Sequence, residues 1–210
     1  MNWRRPSARI SRHAAGRTVS DLLTALAPVV RVLEDLGVRH FVGGSLASSA
    51  HGMARASLDV DLIAELESHH VSVLVERLHG TYYLDVSRVE AAIRSRRSFN
   101  LIHLGTMFKV DVFVTRDRPF DRMAMGRARP EMLGDEAGAL QVPVATAEDT
   151  VLAKLEWFEA GGRTSERQWA DVVGVLKLRQ LDADLVYLRR WAPALGVDAL
   201  LERAIAEAAG

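Results

Sequence analysis

Residues 58 to 64, Leu-Asp-Val-Asp-Leu-Ile-Ala, constrain the fold more than any other segment of the chain. Polar and apolar side chains alternate there, and this period of two predicts a β-strand with one buried face. Residues i and i+2 of a strand point to the same side, so Asp59 and Asp61 should project together, roughly 6–7 Å apart at the backbone. The strand therefore belongs to a sheet that is covered on one face and carries paired carboxylates on the other.

Two neighbouring carboxylates suggest a cation. They repel each other unless a positive charge lies between them, and Mg²⁺ is commonly held by one or two carboxylates together with substrate phosphates. Asp59 and Asp61 are therefore candidate metal ligands. A solvent-facing strand that merely alternates charged and apolar residues is the competing interpretation, and Asp-x-Asp alone does not decide between the two.

Helices and strands alternate in the first two-thirds of the chain. The predicted helices cover residues 18–36, 46–53, 68–78 and 88–96. The predicted strands cover residues 39–42, 58–64, 82–85, 100–104, 108–115 and 140–144. The short linker Gly105-Thr106-Met107 predicts a β-hairpin, whereas several prolines and glycines make residues 116–139 an expected irregular connection.

Only helices are predicted beyond residue 145. Thr146 and Ser165 each stand three residues before a side chain that suits a capping box, and Asp182 is the expected cap of a third helix. The expected fold class is α+β, with a mixed sheet flanked by helices and a C-terminal helical bundle. The expected organisation is a basic, disordered leader at 1–17, an α/β core at 18–145 and a helical region at 146–210.

The composition limits the possible partners. Lysine plus arginine and aspartate plus glutamate both number 27, so net charge favours neither nucleic acid nor an acidic partner. The absence of cysteine excludes disulfides and thiolate metal sites and suits a reducing cytoplasm, which is the expected location. No apolar run approaches the roughly 20 residues of a membrane-spanning helix, so no membrane partner is expected. The Arg-rich leader is alternatively an organelle transit peptide or an arm that contacts RNA.

Gly43-Gly44-Ser45 lies between a predicted strand and a predicted short helix. Glycines let the backbone approach phosphates closely, a helix N-terminus offers free N–H groups, and the hydroxyl of Ser45 adds a further contact. A plain glycine turn is the simpler alternative, because Gly-Gly occurs in many turns.

Asp111 is the single carboxylate of an otherwise apolar predicted strand. Burying a carboxylate without a partner is costly, so a metal or another cation is expected beside it. Lys109 shares the face of Asp111, and a surface ion pair between them is the simpler interpretation.

The order Gly-Gly-Ser, then Arg-x-Ser-x-Asp-Val-Asp, then a third aspartate in a later strand resembles the nucleotidyltransferase (polymerase-beta-like) superfamily over roughly residues 38–115. The resemblance implies that fold, a nucleoside triphosphate substrate and two Mg²⁺ ions as cofactor, with Mn²⁺ as the alternative metal. It implies that Asp59 and Asp61 hold the metals and that Asp111 activates the incoming nucleophile, either as a third metal ligand or by taking the proton of the acceptor. It assigns nucleotide binding to Gly43, Gly44, Ser45 and Arg55.

The C-terminal part is similar to the AbiEii-like bacterial toxins of toxin–antitoxin and phage-defence systems. Those proteins carry a lysine on one helix and an Arg/Asp motif on the next, and Lys154 and Asp171 occupy comparable positions. The resemblance adds both residues to the nucleotide-binding set. The pair Gln168-Trp169 departs from the charged pair that usually precedes this aspartate. Simpler interpretations make Lys154 a solvent-exposed residue and Asp171 a surface partner of a nearby arginine, Arg163 or Arg167.

Three functions stay open on the sequence alone. The first is Mg²⁺-dependent transfer of a nucleoside monophosphate to RNA, a protein or a small molecule. The second is a toxin that uses the same chemistry and has an antitoxin as partner. The third is an inactive nucleotide-binding or interaction module of the same fold.

Two further groups of residues have a predicted role. One is a cluster of arginines that would contact a phosphate-rich acceptor such as tRNA, although a solvated helix face explains it as well; its members are Arg88, Arg94, Arg96 and Arg97. The other is a set of tryptophans predicted to pack the helical half, namely Trp157, Trp169 and Trp191.

Overall fold

A computed structural model describes residues 19–52, 59–134, 138–179 and 183–210. The predicted leader, Thr18 and the candidate nucleotide contact Arg55 lie outside these residues. The helices are α1 (Val19–Asp35), α2 (Gly44–Ala50), α3 (Val71–Leu78), α4 (Val86–Ser95), α5 (Pro119–Arg127), α6 (Ala147–Ala160), α7 (Glu166–Leu178), α8 (Leu185–Leu195) and α9 (Asp198–Ala209). The strands are β1 (His40–Val42), β2 (Asp59–Ala64), β3 (Tyr82–Tyr83), β4 (Ser98–His103), β5 (Lys109–Val114), β6 (Arg129–Leu133) and β7 (Leu140–Val144).

The strands form one mixed sheet in the order β3-β4-β5-β2-β1-β7-β6. Strands β2 and β5 pair in parallel, as do β1 and β7, and the other neighbours are antiparallel. The predicted hairpin is the antiparallel pair β4–β5. A mixed sheet flanked by helices and followed by the helices α6 to α9 confirms the predicted α+β class.

Helix α1 covers the apolar face of the sheet because its own apolar residues recur at helical spacing. Leu22, Leu26, Val29 and Leu33 are all buried. The helix stops where Gly37 adopts φ +66°, and the amide of Val38 then donates to the carbonyl of Leu33 at 2.8 Å. Alternate residues of β2 and β5 pack beneath α1, so their remaining side chains must face the other way.

The irregular connection predicted for residues 116–139 is wrong in part, because α5 and β6 lie within it. Pro119 occupies the first turn of α5, where no intrahelical N–H is lost, and the carboxylate of Asp121 accepts from the amide of Arg118 at 3.2 Å. Pro130 is tolerated in β6 because this strand forms an edge of the sheet and pairs only with β7. Each proline thus lies near the start of a regular element, although a proline in the sequence is usually read as a sign of a loop.

Side-chain caps start the C-terminal helices. Thr146 and Ser165 accept hydrogen bonds from the amides three residues on, as predicted. The cap of α8 is Asp184, whose carboxylate accepts from the amide of Tyr187 at 2.9 Å. The predicted cap Asp182 is therefore wrong and itself lies outside the described residues.

A buried polar cluster holds α6 against the rest of the fold. Asp149 is 2% exposed, accepts from the hydroxyls of Thr146 and Tyr187, and forms an ion pair with Arg127 of α5 at 3.2 Å. The Arg127 guanidinium also lies 3.9 Å from the centre of the Tyr187 ring. Because this buried carboxylate has three partners, its burial is compensated. The cluster therefore attaches the start of α6 to α5 and α8.

Candidate active site

Paired strands bring the three predicted carboxylates to one face of the sheet. Asp61 of β2 lies directly opposite Asp111 of β5, and Asp59 lies opposite Lys109. These four side chains alternate with the buried valines and leucine of the two strands, so they share the face that α1 does not cover. The common face expected from the sequence is therefore present, because the parallel register places residue 61 beside residue 111.

Lys109 provides the nearest positive charge. Its ammonium lies 2.7 Å from one oxygen of Asp111 and 3.8 Å from one oxygen of Asp59. The predicted Lys109–Asp111 pair thus exists, and it coexists with the carboxylate cluster. Within the described residues no three acidic or histidine side chains are gathered in metal-binding geometry. Carboxylate oxygens are nevertheless the kind of donor that Mg²⁺ takes, and a cation, the ammonium of Lys109, already lies near two of these carboxylates.

The surroundings of Asp61 disfavour its ionised form. Burial, and then the neighbouring charges of Asp59 and Asp111, raise the pKa of Asp61 to about 6, against the opposing effects of Lys154 and Lys109. Its carboxylate therefore lies where an additional cation would be favourable.

The Gly43-Gly44-Ser45 segment passes directly over this carboxylate. The amide of Gly43 donates to the carbonyl of Asp61 at 2.9 Å, and Gly44 adopts φ +58°. A β-carbon on Gly44 would lie 2.6 Å from Cγ of Asp61 and closer still to one carboxylate oxygen. Only glycine fits here, both for its backbone conformation and for the space. Ser45 is buried as the second residue of α2.

Gly44→Ala is expected to displace the Asp61 carboxylate and to abolish any activity that depends on it. The matched control is Gly80→Ala, since Gly80 has φ +78° but no neighbour within 4 Å of an added β-carbon. The control should carry only the left-handed backbone cost of about 1–2 kcal/mol. Gly44→Ala should lose about 1–3 kcal/mol more from overpacking. Urea unfolding of both variants measures the difference, and equal losses would show that Asp61 is not held against Gly44.

Lys154 and Asp171 are buried and bonded to each other. The ammonium of Lys154 on α6 lies 2.8 Å from a carboxylate oxygen of Asp171 on α7. The solvent-exposed interpretation of Lys154 is therefore wrong, and so is the surface pairing of Asp171 with Arg163, which pairs with Glu159 instead. The charge of Lys154 also lowers the pKa of Asp61, so the helical half acts electrostatically on the carboxylate face.

The predicted packing role of the tryptophans holds for two of them. Trp169 and Trp191 are partly buried against the core. Trp157 is 48% exposed, and its ring contacts Phe113 of β5 with a centroid distance of 5.6 Å. The sequence pattern missed this placement, because a helical period does not say which sheet residue a helix will cross.

The family model described as nucleotidyl transferase AbiEii toxin, type IV TA system, matches residues 39–203, well over half of the chain. The chain belongs to this family. The match covers both the carboxylate strands and the helices that carry Lys154 and Asp171, so the resemblance read from the motifs is confirmed. No curated protein has a matching sequence.

Solved structures show the same fold at low identity. The antibiotic-resistance factor ANT(2'')-Ia is 16% identical with a TM-score of 0.53, and the similarity covers 89% of this chain and 98% of that one. An antigenic nucleotidyltransferase-like protein from Paracoccidioides brasiliensis is 15% identical with a TM-score of 0.52, over 92% of this chain and 95% of that one. The protein is thus a nucleotidyltransferase by family and by fold. The assignment of metal and nucleotide contacts to individual residues remains a prediction.

Proposed function

We propose that the protein transfers a nucleoside monophosphate from a nucleoside triphosphate to an acceptor, with Mg²⁺, or Mn²⁺ in its place, held by the acidic cluster. The observation that carries the proposal is the Asp61–Asp111 pair on one sheet face, directly beneath Gly44. A raised pKa at Asp61 supports it, because perturbed carboxylates are concentrated at functional sites.

Each side chain has a distinct task in this proposal. Asp59 and Asp61 would hold the metal, which when bound neutralises phosphate charge and orients the triphosphate. The backbone beside Gly44 and Ser45 would bind phosphate oxygens. Asp111 would either join the metal ligands or accept the proton of the acceptor hydroxyl, whose oxygen attacks the α-phosphorus as pyrophosphate leaves.

The test is incubation of the purified protein with each labelled nucleoside triphosphate and Mg²⁺, in separate reactions with total RNA and with cell lysate. Label should pass to one acceptor class with at least one nucleotide, and chelation of the metal should stop it. Nucleotide binding without any labelled acceptor would instead favour an inactive binding module.

A toxin role is the second candidate, and the family match favours it because that family is described as the toxin of a type IV toxin–antitoxin system. The partner would then be an antitoxin protein. Induced expression of the wild-type chain in a bacterial host should arrest growth, whereas the Asp61→Asn variant should not. Equal growth of the two cultures at matched protein levels would remove this role.

RNA, including tRNA, remains one proposed acceptor class. Arg88 and Arg94 of the arginine cluster are well exposed on α4, yet they already lie 3.5 and 3.6 Å from Asp85 and Glu90. Salt-dependent binding would be expected if these side chains contact phosphates.

Among the described helices, none is long and apolar enough to cross a membrane.

A further inference from the structure

Trp157, which is exposed, and Phe113, which is half-buried, form an aromatic pair on the carboxylate face. Phe113 lies two residues after Asp111 on β5, so both side chains point to the same side, roughly 6–7 Å apart at the backbone. The two rings meet at 66° with centroids 5.6 Å apart, and Trp157 stays 48% exposed. The exposed part of the Trp157 ring is therefore available to a ligand near Asp111.

Helix α6 carries both Trp157 and the buried Lys154. Lys154, whose charge acts on Asp61, precedes Trp157 by three residues, and residues at this spacing lie on one helix face about 5–6 Å apart. On β5 and on α6 a charged residue thus precedes an aromatic one at a spacing that places the two on one face. The two aromatic rings are in contact with each other.

The other two described tryptophans are already engaged. The indole N–H of Trp169 donates to Glu207 at 2.9 Å, and the guanidinium of Arg203 lies 4.3 Å from its ring centre. Trp191 packs against Phe120 with a centroid distance of 5.8 Å. Both rings are partly buried against the core, so neither offers as open a surface as Trp157.

We propose that the Trp157–Phe113 pair is the stacking subsite for the heteroaromatic base of the nucleoside triphosphate. The inference rests on the proposed function, since it requires the triphosphate to lie beside Gly44 and the acidic cluster. The phosphates then lie beside Asp59 and Asp61, and the sugar places the base next to Trp157. Stacking on an indole ring tolerates every base, because each base has a π-face.

Calorimetric titration in Mg²⁺ with ATP and with inorganic tripolyphosphate tests the subsite, because tripolyphosphate has the three linked phosphates of ATP but neither its sugar nor its base. Trp157→Ala should weaken ATP binding about 10-fold, the scale of a lost base–aromatic stack, and leave tripolyphosphate binding unchanged. Trp157→Phe should keep most of the ATP affinity. Trp169→Phe is the matched control and should bind both probes as the wild type does.

Fluorescence provides a readout that does not depend on turnover. ATP should quench the emission of the wild type and of Trp169→Phe but not that of Trp157→Phe, and tripolyphosphate should quench none of them. If Trp157→Ala binds ATP as tightly as the wild type, the stacking subsite is overturned while the proposed transfer function stands. If the wild type binds neither probe, both are overturned together.

Discussion

Asp61→Asn is expected to reduce nucleotidyl transfer by more than roughly 100-fold and to raise the thermal midpoint of the metal-free protein. The loss of rate follows because Asp61 is a proposed ligand of the metal that neutralises the phosphate charge. Removing one electrostatic contact to the transition state typically lowers the rate by about 100- to 1000-fold. The gain follows from relief of repulsion, because burial and the carboxylates of Asp59 and Asp111 disfavour the ionised form of Asp61.

The stability gain should depend on pH with a definite sign. The pKa of Asp61 is about 6 in the folded chain and about 3.9 in an unfolded one. Between pH 4 and 6 the folded state therefore holds more protons, and its stability falls as the pH rises through this window. Ionised Asp61 costs the folded state up to about 3 kcal/mol at pH 7.5. The asparagine variant avoids this cost, so its advantage should be large at pH 7.5 and vanish near pH 4.

Calorimetry of the wild type and the variant at both pH values measures this effect. Glu76→Gln is the control, since Glu76 is an exposed carboxylate on α3 and its replacement should leave the midpoint unchanged at either pH. Adding Mg²⁺ should stabilise the wild type far more than the Asp61→Asn variant, because a ligand stabilises only the state that binds it. A metal-free Asp61→Asn protein that is less stable at pH 7.5 would make Asp61 a structural partner and withdraw its proposed role.

The strand pattern was sufficient to place the acidic face. Alternation in residues 58–64 and 108–115 predicts which side chains of each strand share a side, and a period of two leaves only one choice of buried face. The capping residues Thr146 and Ser165 were equally readable, because a cap is a contact between residues three apart. Local spacing therefore predicted the carboxylate face and the starts of two helices.

Contacts between distant residues could not be read in the same way. The Lys154–Asp171 bond depends on how α6 packs against α7, and the contact of Trp157 with Phe113 depends on how α6 crosses β5. Helix α5 was missed because its apolar periodicity is weak, with only Phe120, Ala124 and Met125 buried. Two of these misses are contacts between distant residues, and the third is a helix with a weak apolar period.

Lys154→Met is expected to destabilise the protein by about 3–5 kcal/mol, because it leaves the buried carboxylate of Asp171 without its ammonium partner. The side chains of Lys154 and Asp171 are only 10% and 6% exposed, so water cannot replace the lost charge. Asp171→Leu alone should cost a similar amount by leaving the ammonium unpaired. The double variant should recover most of the loss, since neither member of the pair is left as a buried charge without its counterion.

The surface pair Arg189–Glu202 is the matched control. It joins α8 to α9 at 2.7 Å, but both side chains are 53% exposed. Arg189→Met should therefore cost little, because exposed ion pairs are screened by solvent. Urea unfolding of the single and double variants gives the coupling energy between Lys154 and Asp171. A loss for Lys154→Met no larger than that for Arg189→Met would contradict the buried pair.

The double variant Lys154→Met/Asp171→Leu also separates folding from nucleotide binding. It should fold, yet it lacks the ammonium that acts on Asp61, so triphosphate binding should weaken by about 1.5–3 kcal/mol, the scale of a lost hydrogen bond to a charged group. Binding of a nucleoside monophosphate should change little, because it lacks the β- and γ-phosphates. Calorimetric titration of the folded double variant with both ligands decides the matter. Unchanged triphosphate affinity would make the Lys154–Asp171 pair a purely structural link between α6 and α7.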